Sequence, residues 1–222
     1  MKVGTDAVLL GAWCSVEGYP NSILDIGSGT GVIALMLAQR NDAQTIDAVE
    51  IDENAYEQTV ANFEESDWGD RLFCYHATFQ NFANEMAGED ENYDLIVSNP
   101  PFYRDAYQTE SEARNKARFT SSLSFEELLD GVSKILSKNG QFSVIIPKKE
   151  QIDFVAIALK NGLFMSRLCN VKGTPSSEIK RILLTFSFQE KVLEVTELII
   201  EIERHQYTDK YIDLTKDFYL KM

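Results

Sequence analysis

The chain has 222 residues, 44% hydrophobic and 25% charged, which is the make-up of one globular domain able to bury a core without disulfide or metal staples. Its apolar runs, such as Ala7–Leu10 and Val144–Ile146, are too short to cross a membrane, and the first residues carry no signal-peptide pattern, so a cytoplasmic location is expected. The net charge of −14 argues against a nucleic-acid partner, yet residues 42–94 hold 15 of the 35 acidic residues and one of the 21 basic ones, so the remainder is balanced and can offer a neutral or basic face.

Strand-like and helix-like stretches alternate, which predicts a parallel sheet covered by helices on both faces. Asp6–Val16 has helical spacing, with Thr5 or Asp6 as its N-cap. Ser22–Ile26 reads as a strand, Thr30–Arg40 as a helix that is apolar nearly all round, and Thr45–Ile51 as the second strand. Asp52 is placed to cap a helix running to about Glu65. Arg71–His76 and Tyr93–Ser98 are the third and fourth strands. Ser124 and Glu127 form a capping box for a helix that closes near Lys138-Asn139-Gly140. Phe142–Ile146 is the fifth strand and Lys149–Lys160 a helix; Phe164–Val171 and Ile179–Phe188 make an antiparallel hairpin around Gly173-Thr174-Pro175-Ser176-Ser177. Residues 103–122 have no apolar period and read as a loop, and the tail from Val192 has no clear pattern. No linker divides residues 1–222, which are read as a single domain. Cys14, Cys74 and Cys169 lie far apart, and His76 and His205 are isolated, so reduced thiols and no metal site are expected.

Three motifs carry chemistry. Asp25-Ile26-Gly27-Ser28-Gly29-Thr30-Gly31 joins the first strand to a helix, and glycines there let the backbone approach a ligand at the helix N-terminus. A dinucleotide fingerprint would need glycine where Val32 stands, and Asp25 is a poor neighbour for a pyrophosphate. Asp25 suits a cationic group such as the amine or sulfonium of S-adenosylmethionine. Glu50 ends the second strand where an acid holds the ribose hydroxyls of an adenine cofactor, and Ile51 can lie against the adenine ring. Asp52 is read as a helix cap.

Ser98-Asn99-Pro100-Pro101-Phe102 follows the fourth strand, at the edge where open parallel sheets bind ligands. Each proline holds the residue before it extended, and the Pro100 carbonyl has no local donor to satisfy. The Asn99 side-chain oxygen and that carbonyl make two acceptors for one planar NH₂ group, turning its lone pair toward an electrophile. Phe102 can stack on the ring that bears the amine.

These residues resemble the class I S-adenosylmethionine-dependent methyltransferases with an Asn-Pro-Pro-Tyr/Phe motif, which act on exocyclic amines. Met1 through Trp13 (MKVGTDAVLLGAW), Phe125-Glu126-Glu127-Leu128-Leu129, Lys180-Arg181-Ile182-Leu183-Leu184 and the tail Tyr207-Thr208 to Leu220 narrow the likeness to the bacterial tRNA1(Val) (adenine-37 N6)-methyltransferase family, over essentially the whole chain. The resemblance implies a Rossmann-like, doubly wound α/β domain with a seven-stranded, mostly parallel sheet, order 3-2-1-4-5-7-6, the last strand antiparallel. It implies methyl transfer to an adenine N6 in tRNA, with S-adenosylmethionine as cofactor and S-adenosylhomocysteine as product, and no membrane or metal partner; a monomer is favoured over an oligomer. Asn99, Pro100 and Phe102 become the catalytic residues. Thr5, Asp25, Gly27, Gly29, Gly31, Glu50, Ile51 and Asn99 become the cofactor site.

Two departures from the family stand out. Thr78 occupies the place where an acid usually holds the cofactor's adenine amine; Thr78 is expected to accept a hydrogen bond there instead, with Phe79 covering the ring. Relatives also carry a short segment before Lys2-Val3-Gly4-Thr5-Asp6, so Met1 is expected to be an internal start or a trimmed end. Arg104, Arg114, Lys116 and Arg118 are candidates for tRNA phosphates, whereas Lys148-Lys149 and Lys180-Arg181, at sheet ends, read as plain surface. In-line transfer from a sulfonium needs alignment and acceptors rather than a nucleophile or metal. A rival enzyme reading is methylation of a glutamine amide in a protein such as a release factor; a non-catalytic RNA-binding scaffold is the reading from another class.

Overall fold

The computed structural model describes residues 4–100 and 123–220. Strands β1 (Ser22–Ile26), β2 (Thr45–Glu50), β3 (Leu72–His76), β4 (Tyr93–Ser98), β5 (Leu136–Pro147), β6 (Phe164–Lys172), β7 (Ile179–Ser187) and β8 (Glu194–Ile199) form one sheet in the order β3-β2-β1-β4-β5-β7-β6-β8. β7 runs antiparallel to both β5 and β6, and the other pairings are parallel. The expected order therefore stands, with one correction: the sheet has eight strands, not seven. β8 lacked a sequence signature because it is a polar edge strand, with Leu198 its one buried residue. Charged edges of this kind resist pairing with other chains. Beyond it lie a short hairpin, β9 (Glu201–Glu203) and β10 (Gln206–Tyr207), and a terminal helix.

The helices are α1 (Thr5–Trp13), α2 (Val32–Arg40), α3 (Glu53–Glu64), α4 (Phe79–Gly88), α5 (Phe125–Ile135), α6 (Gln151–Lys160) and α7 (Asp209–Thr215). Alternation along the central strands divides the core into two layers, because successive side chains point to opposite faces. Leu24, Ile96, Val144, Ile146 and Leu184 pack under α4, α5 and α6, against Phe82, Leu128, Val132 and Phe154. Ile23, Leu95, Val97, Ile145 and Leu183 pack under α1 and α2, against Leu9, Leu10 and Leu37. Asp25 lies between Leu24 and Ile26 on β1 and so points to the α2 side, where its carboxylate meets the start of that helix.

Two local readings are corrected. The N-cap of α1 is Gly4, with no side-chain cap; Asp6 lies in the first turn and is bridged by Arg181 at 2.8 Å. α5 stops at Ile135 and Gly140 lies inside β5. A Cβ on Gly140 would come within 2.9 Å of the Tyr93 carbonyl oxygen, so glycine there serves the approach of β5 to β4. The Ser124–Glu127 capping box is present, as is the Asp52 cap of α3. Thr78 and Phe79, expected at the cofactor's adenine, also carry structural roles. These residues open α4, whose apolar positions 79, 82, 83 and 86 have helical spacing. The Thr78 hydroxyl accepts from Asn81 N–H at 3.3 Å as the helix cap, and Phe79 is 5% exposed, packed against Gly131 of α5.

The acidic window 42–94 folds as β2, α3, β3 and α4, which together form one wing of the sheet, with Glu53, Glu57, Glu64 and Glu65 exposed along α3.

Candidate active site

The glycine loop sits between the carboxyl end of β1 and the start of α2, and its shape is imposed from three sides. Gly27, Gly29 and Gly31 have φ of +69°, +62° and +73°, a region that side chains disfavour. A Cβ on Gly31 would also meet Phe63 at 2.6 Å and Thr59 at 2.9 Å, whereas at Gly27 the space is open, leaving the backbone accessible. β2 supplies the second constraint: Gly27 N–H donates to the Val49 carbonyl at 2.9 Å, and Gly29 N–H donates to Glu50 Oε2 at 2.8 Å. Glu50 Oε1 accepts from Ile51 and Asp52 N–H, each at 2.8 Å. A carboxylate offers about four acceptor positions, so three backbone bonds leave Glu50 one for a ligand hydroxyl. α3 supplies the third: the Thr59 hydroxyl donates to the Gly29 carbonyl at 3.0 Å and the Asn62 amide to the Thr30 carbonyl at 2.8 Å.

Thr59 and Asn62 escaped sequence reading. Their spacing shows that they share a face of α3, but nothing local says which loop that face meets. His76 also acts here: its Nε2 lies 3.1 Å from the Ile51 carbonyl oxygen and its ring stacks on Tyr56, fixing the turn after β2. Ile51 itself is 44% exposed, an apolar surface beside Glu50.

Beneath the loop, Asp25 is fully buried. Its Oδ2 accepts from Ala34 N–H in the first turn of α2 at 3.3 Å, and its Oδ1 has no partner. Burial pushes the carboxyl up to about 7, against the Ala34 hydrogen bond and with help from the Glu50 charge. An unpartnered buried oxygen next to a glycine cradle fits a cationic ligand group and does not fit a phosphate. The native state therefore binds a proton at Asp25 that the unfolded chain releases near pH 4. Stability from this group is full below that pH and is lost as pH rises toward about 7. Melting temperatures between pH 5 and pH 8 should fall for the ligand-free protein and fall less for Asp25→Asn; parallel curves for the two proteins would contradict this.

Ser98 ends β4 opposite Ile26, and its hydroxyl donates to the Ile26 carbonyl at 3.0 Å. That bond ties the start of the Asn99-Pro100 segment to the strand that carries the glycine loop. Asn99 is half-buried and Pro100 buried at this edge. Asn99, Asp25, Gly27, Gly29, Gly31, Glu50 and Ile51 thus converge on the carboxyl ends of β1, β2 and β4, where open sheets bind ligands. Thr5 is grouped elsewhere, in a cavity shared with Gly173, Tyr207, Tyr211 and Tyr219. Phe102, Arg104, Arg114, Lys116 and Arg118 lie outside the described residues. Cys14, Cys74 and Cys169 are free thiols; burial pushes Cys14 up to about 11 and Cys74 to about 12, so neither is a reactive thiolate near neutral pH. Among the described residues no helix is long and apolar enough to cross a membrane, and no three His, Cys, Asp or Glu side chains are grouped to hold a metal.

Residues 7–163 match the family model described as the methyltransferase small domain. Over all 222 residues the chain is 56% identical to a Christiangramia forsetii protein named tRNA1(Val) (adenine(37)-N6)-methyltransferase, covering 92% of it. A Flavobacterium johnsoniae protein of the same name is 59% identical, with 100% of this chain and 94% of that protein covered. The chain belongs to the tRNA1(Val) (adenine(37)-N6)-methyltransferase family. Among solved structures, a predicted O-methyltransferase from Agrobacterium tumefaciens superposes with a TM-score of 0.72 over 96% of each chain at 19% identity, which shows the shared Rossmann-like fold.

Proposed function

We propose that the chain transfers the methyl group of S-adenosylmethionine to the exocyclic N6 of an adenine in tRNA, adenine 37 of tRNA1(Val). Full-length identity of 56–59% to relatives bearing that name carries the reading. S-adenosylmethionine supplies an electrophilic methyl on a sulfonium. The chain's own residues do the rest. The glycine backbone leaves room for the cofactor, Asp25 Oδ1 faces a cationic group, and the remaining acceptor position of Glu50 takes one ribose hydroxyl. Ile51 offers an apolar wall to the adenine ring. Asn99 and the Pro100 carbonyl accept the two hydrogens of the target amine and turn its lone pair to the methyl, with Phe102 stacked on the base. Arg104, Arg114, Lys116 and Arg118 contact tRNA phosphates. A base in a single-stranded loop leaves its stack at low cost, which suits this open edge.

The test is transfer of tritiated methyl from S-adenosylmethionine to tRNA isolated from a strain lacking the gene, followed by nucleoside mass spectrometry. The expected product is N6-methyladenosine in one tRNA. A label that appears on a protein glutamine, or on no RNA, overturns the proposal.

A further inference from the structure

A second cavity opens on the same sheet edge, and the function above gives it no role. It has a volume of about 310 Å³ and is lined by Thr5, Gly173, Ile200, Glu201 and the tyrosines Tyr207, Tyr211 and Tyr219. That volume falls at the lower end of small-molecule sites. The Tyr207 and Tyr211 rings lie 5.2 Å apart, and the Tyr211 hydroxyl is 3.3 Å from that of Tyr219. Glu201 is held in place: its N–H donates to the Gly173 carbonyl at 2.9 Å, and its Oε1 accepts from His205 N–H at 3.3 Å. Its carboxylate still has acceptor positions to spare. Tyr211 is buried in the core, so the open aromatic faces are those of Tyr207 and Tyr219, and with a fixed carboxylate beside them they suit a flat ring that carries hydrogen-bond donors. Carboxylates accept from the amino groups of bases, and bases stack on tyrosine faces.

Position along the edge makes the ring part of the substrate strand. Asn99 follows β4. β5 and β7 come next, and then β6, whose end at Lys172 leads to Gly173 on the cavity wall. Three inter-strand steps of about 4.8 Å put the Gly173 wall of the cavity roughly 14 Å from Asn99, and Ile200 and Glu201, which follow β8, lie one step farther. An extended single strand crosses that distance in about two or three nucleotides. The ends of β5 and β7 between the two places carry cations. Pro147 pairs with Arg181, which sets Lys148 and Lys149 beside Lys180, while Arg181 itself is bridged to Asp6. Read singly in the sequence Lys148-Lys149 and Lys180-Arg181 are plain surface; the antiparallel pairing of β5 with β7 gathers the three lysines where the strand's phosphates would pass.

We propose that the tyrosine-lined cavity receives a second, amino-bearing nucleobase of the RNA, about two or three nucleotides from the adenine held at Asn99. The proposal rests on the methyltransferase reading above. Its test uses full-length tRNA carrying a single abasic nucleotide at successive positions near the target adenine, assayed with the wild-type protein, Tyr219→Leu and Glu201→Gln. Tyr219 lies at the surface, so its truncation leaves the fold intact, which a thermal melt checks. Tyr219→Leu should raise KM for tRNA about 10- to 100-fold, with kcat, cofactor affinity and melting temperature unchanged, and Glu201→Gln should raise it by a smaller factor. One abasic position should produce the same loss in the wild-type protein and no further loss in Tyr219→Leu. Normal methylation with unchanged KM in both variants, or abasic losses that add in full to that of Tyr219→Leu at every position, overturns the pocket alone. Failure of the wild-type protein to methylate adenine overturns the functional reading, and the pocket with it.

Discussion

Asn99→Ala should reduce kcat for tRNA methylation by about 10²–10³, the usual cost of removing one preorganised polar contact to a reacting group. Cofactor affinity should change little, because the glycine loop is shaped by Glu50, Thr59 and Asn62 rather than by Asn99. The Ser98 hydroxyl still ties the segment to Ile26 in the variant, and Pro100 still fixes the backbone of residue 99. The loss is therefore of an acceptor and not of a scaffold. Asn99→Asp separates the two roles further: it keeps an acceptor of the same shape and should retain part of the activity. Single-turnover kinetics at saturating cofactor give the number, and wild-type kcat in Asn99→Ala would disprove amine orientation by this residue.

Glu50→Ala should weaken cofactor binding by about 100-fold. The substitution removes the acceptor for Gly29, Ile51 and Asp52 N–H at once. Hydrogen bonds to a charged partner contribute about 1.5–3 kcal/mol each, and two orders of magnitude need about 2.7 kcal/mol. Loss of loop order and of one ribose contact covers that without assigning full value to every bond. Glu50→Gln should bind better than Glu50→Ala, since it keeps one acceptor, yet worse than wild type, because its NH₂ must face a backbone N–H. Calorimetry with S-adenosylhomocysteine measures all three, with NAD as a control ligand that should not bind. Equal affinity in Glu50→Ala and wild type would remove Glu50 from the cofactor site.

The strands and most helices were legible because their alternation and caps are local. Tyr93–Ser98, the Ser124–Glu127 box and the Asp52 cap are read from neighbours within a few positions of one another. The glycine loop and Asn99-Pro100 were legible for the same reason: each is a short run whose backbone chemistry is special. The roles of Thr59, Asn62 and Ser98 depend on which strand lies next to which, and no local pattern carries that information. Thr78 and Phe79 carry a local signal beside their expected ligand contact. The resemblance places a ligand contact at them, after the third strand, and the 79, 82, 83, 86 spacing of α4 gives both residues structural work as well. β8 was illegible because an edge strand with a single buried residue has no amphipathic signal.

The acidic wing formed by β2, α3, β3 and α4 concentrates the chain's negative charge at one side of the sheet. That side repels RNA, while the ends of β5 and β7 present lysines. A polyanion approaching at random thus experiences a torque before it makes any contact, and wing-first collisions are turned away. Within a Debye length of about 8 Å at physiological salt, this field selects orientation rather than sequence. A protein with a large negative total charge can in this way take a nucleic acid as its substrate, provided the approach is from one side.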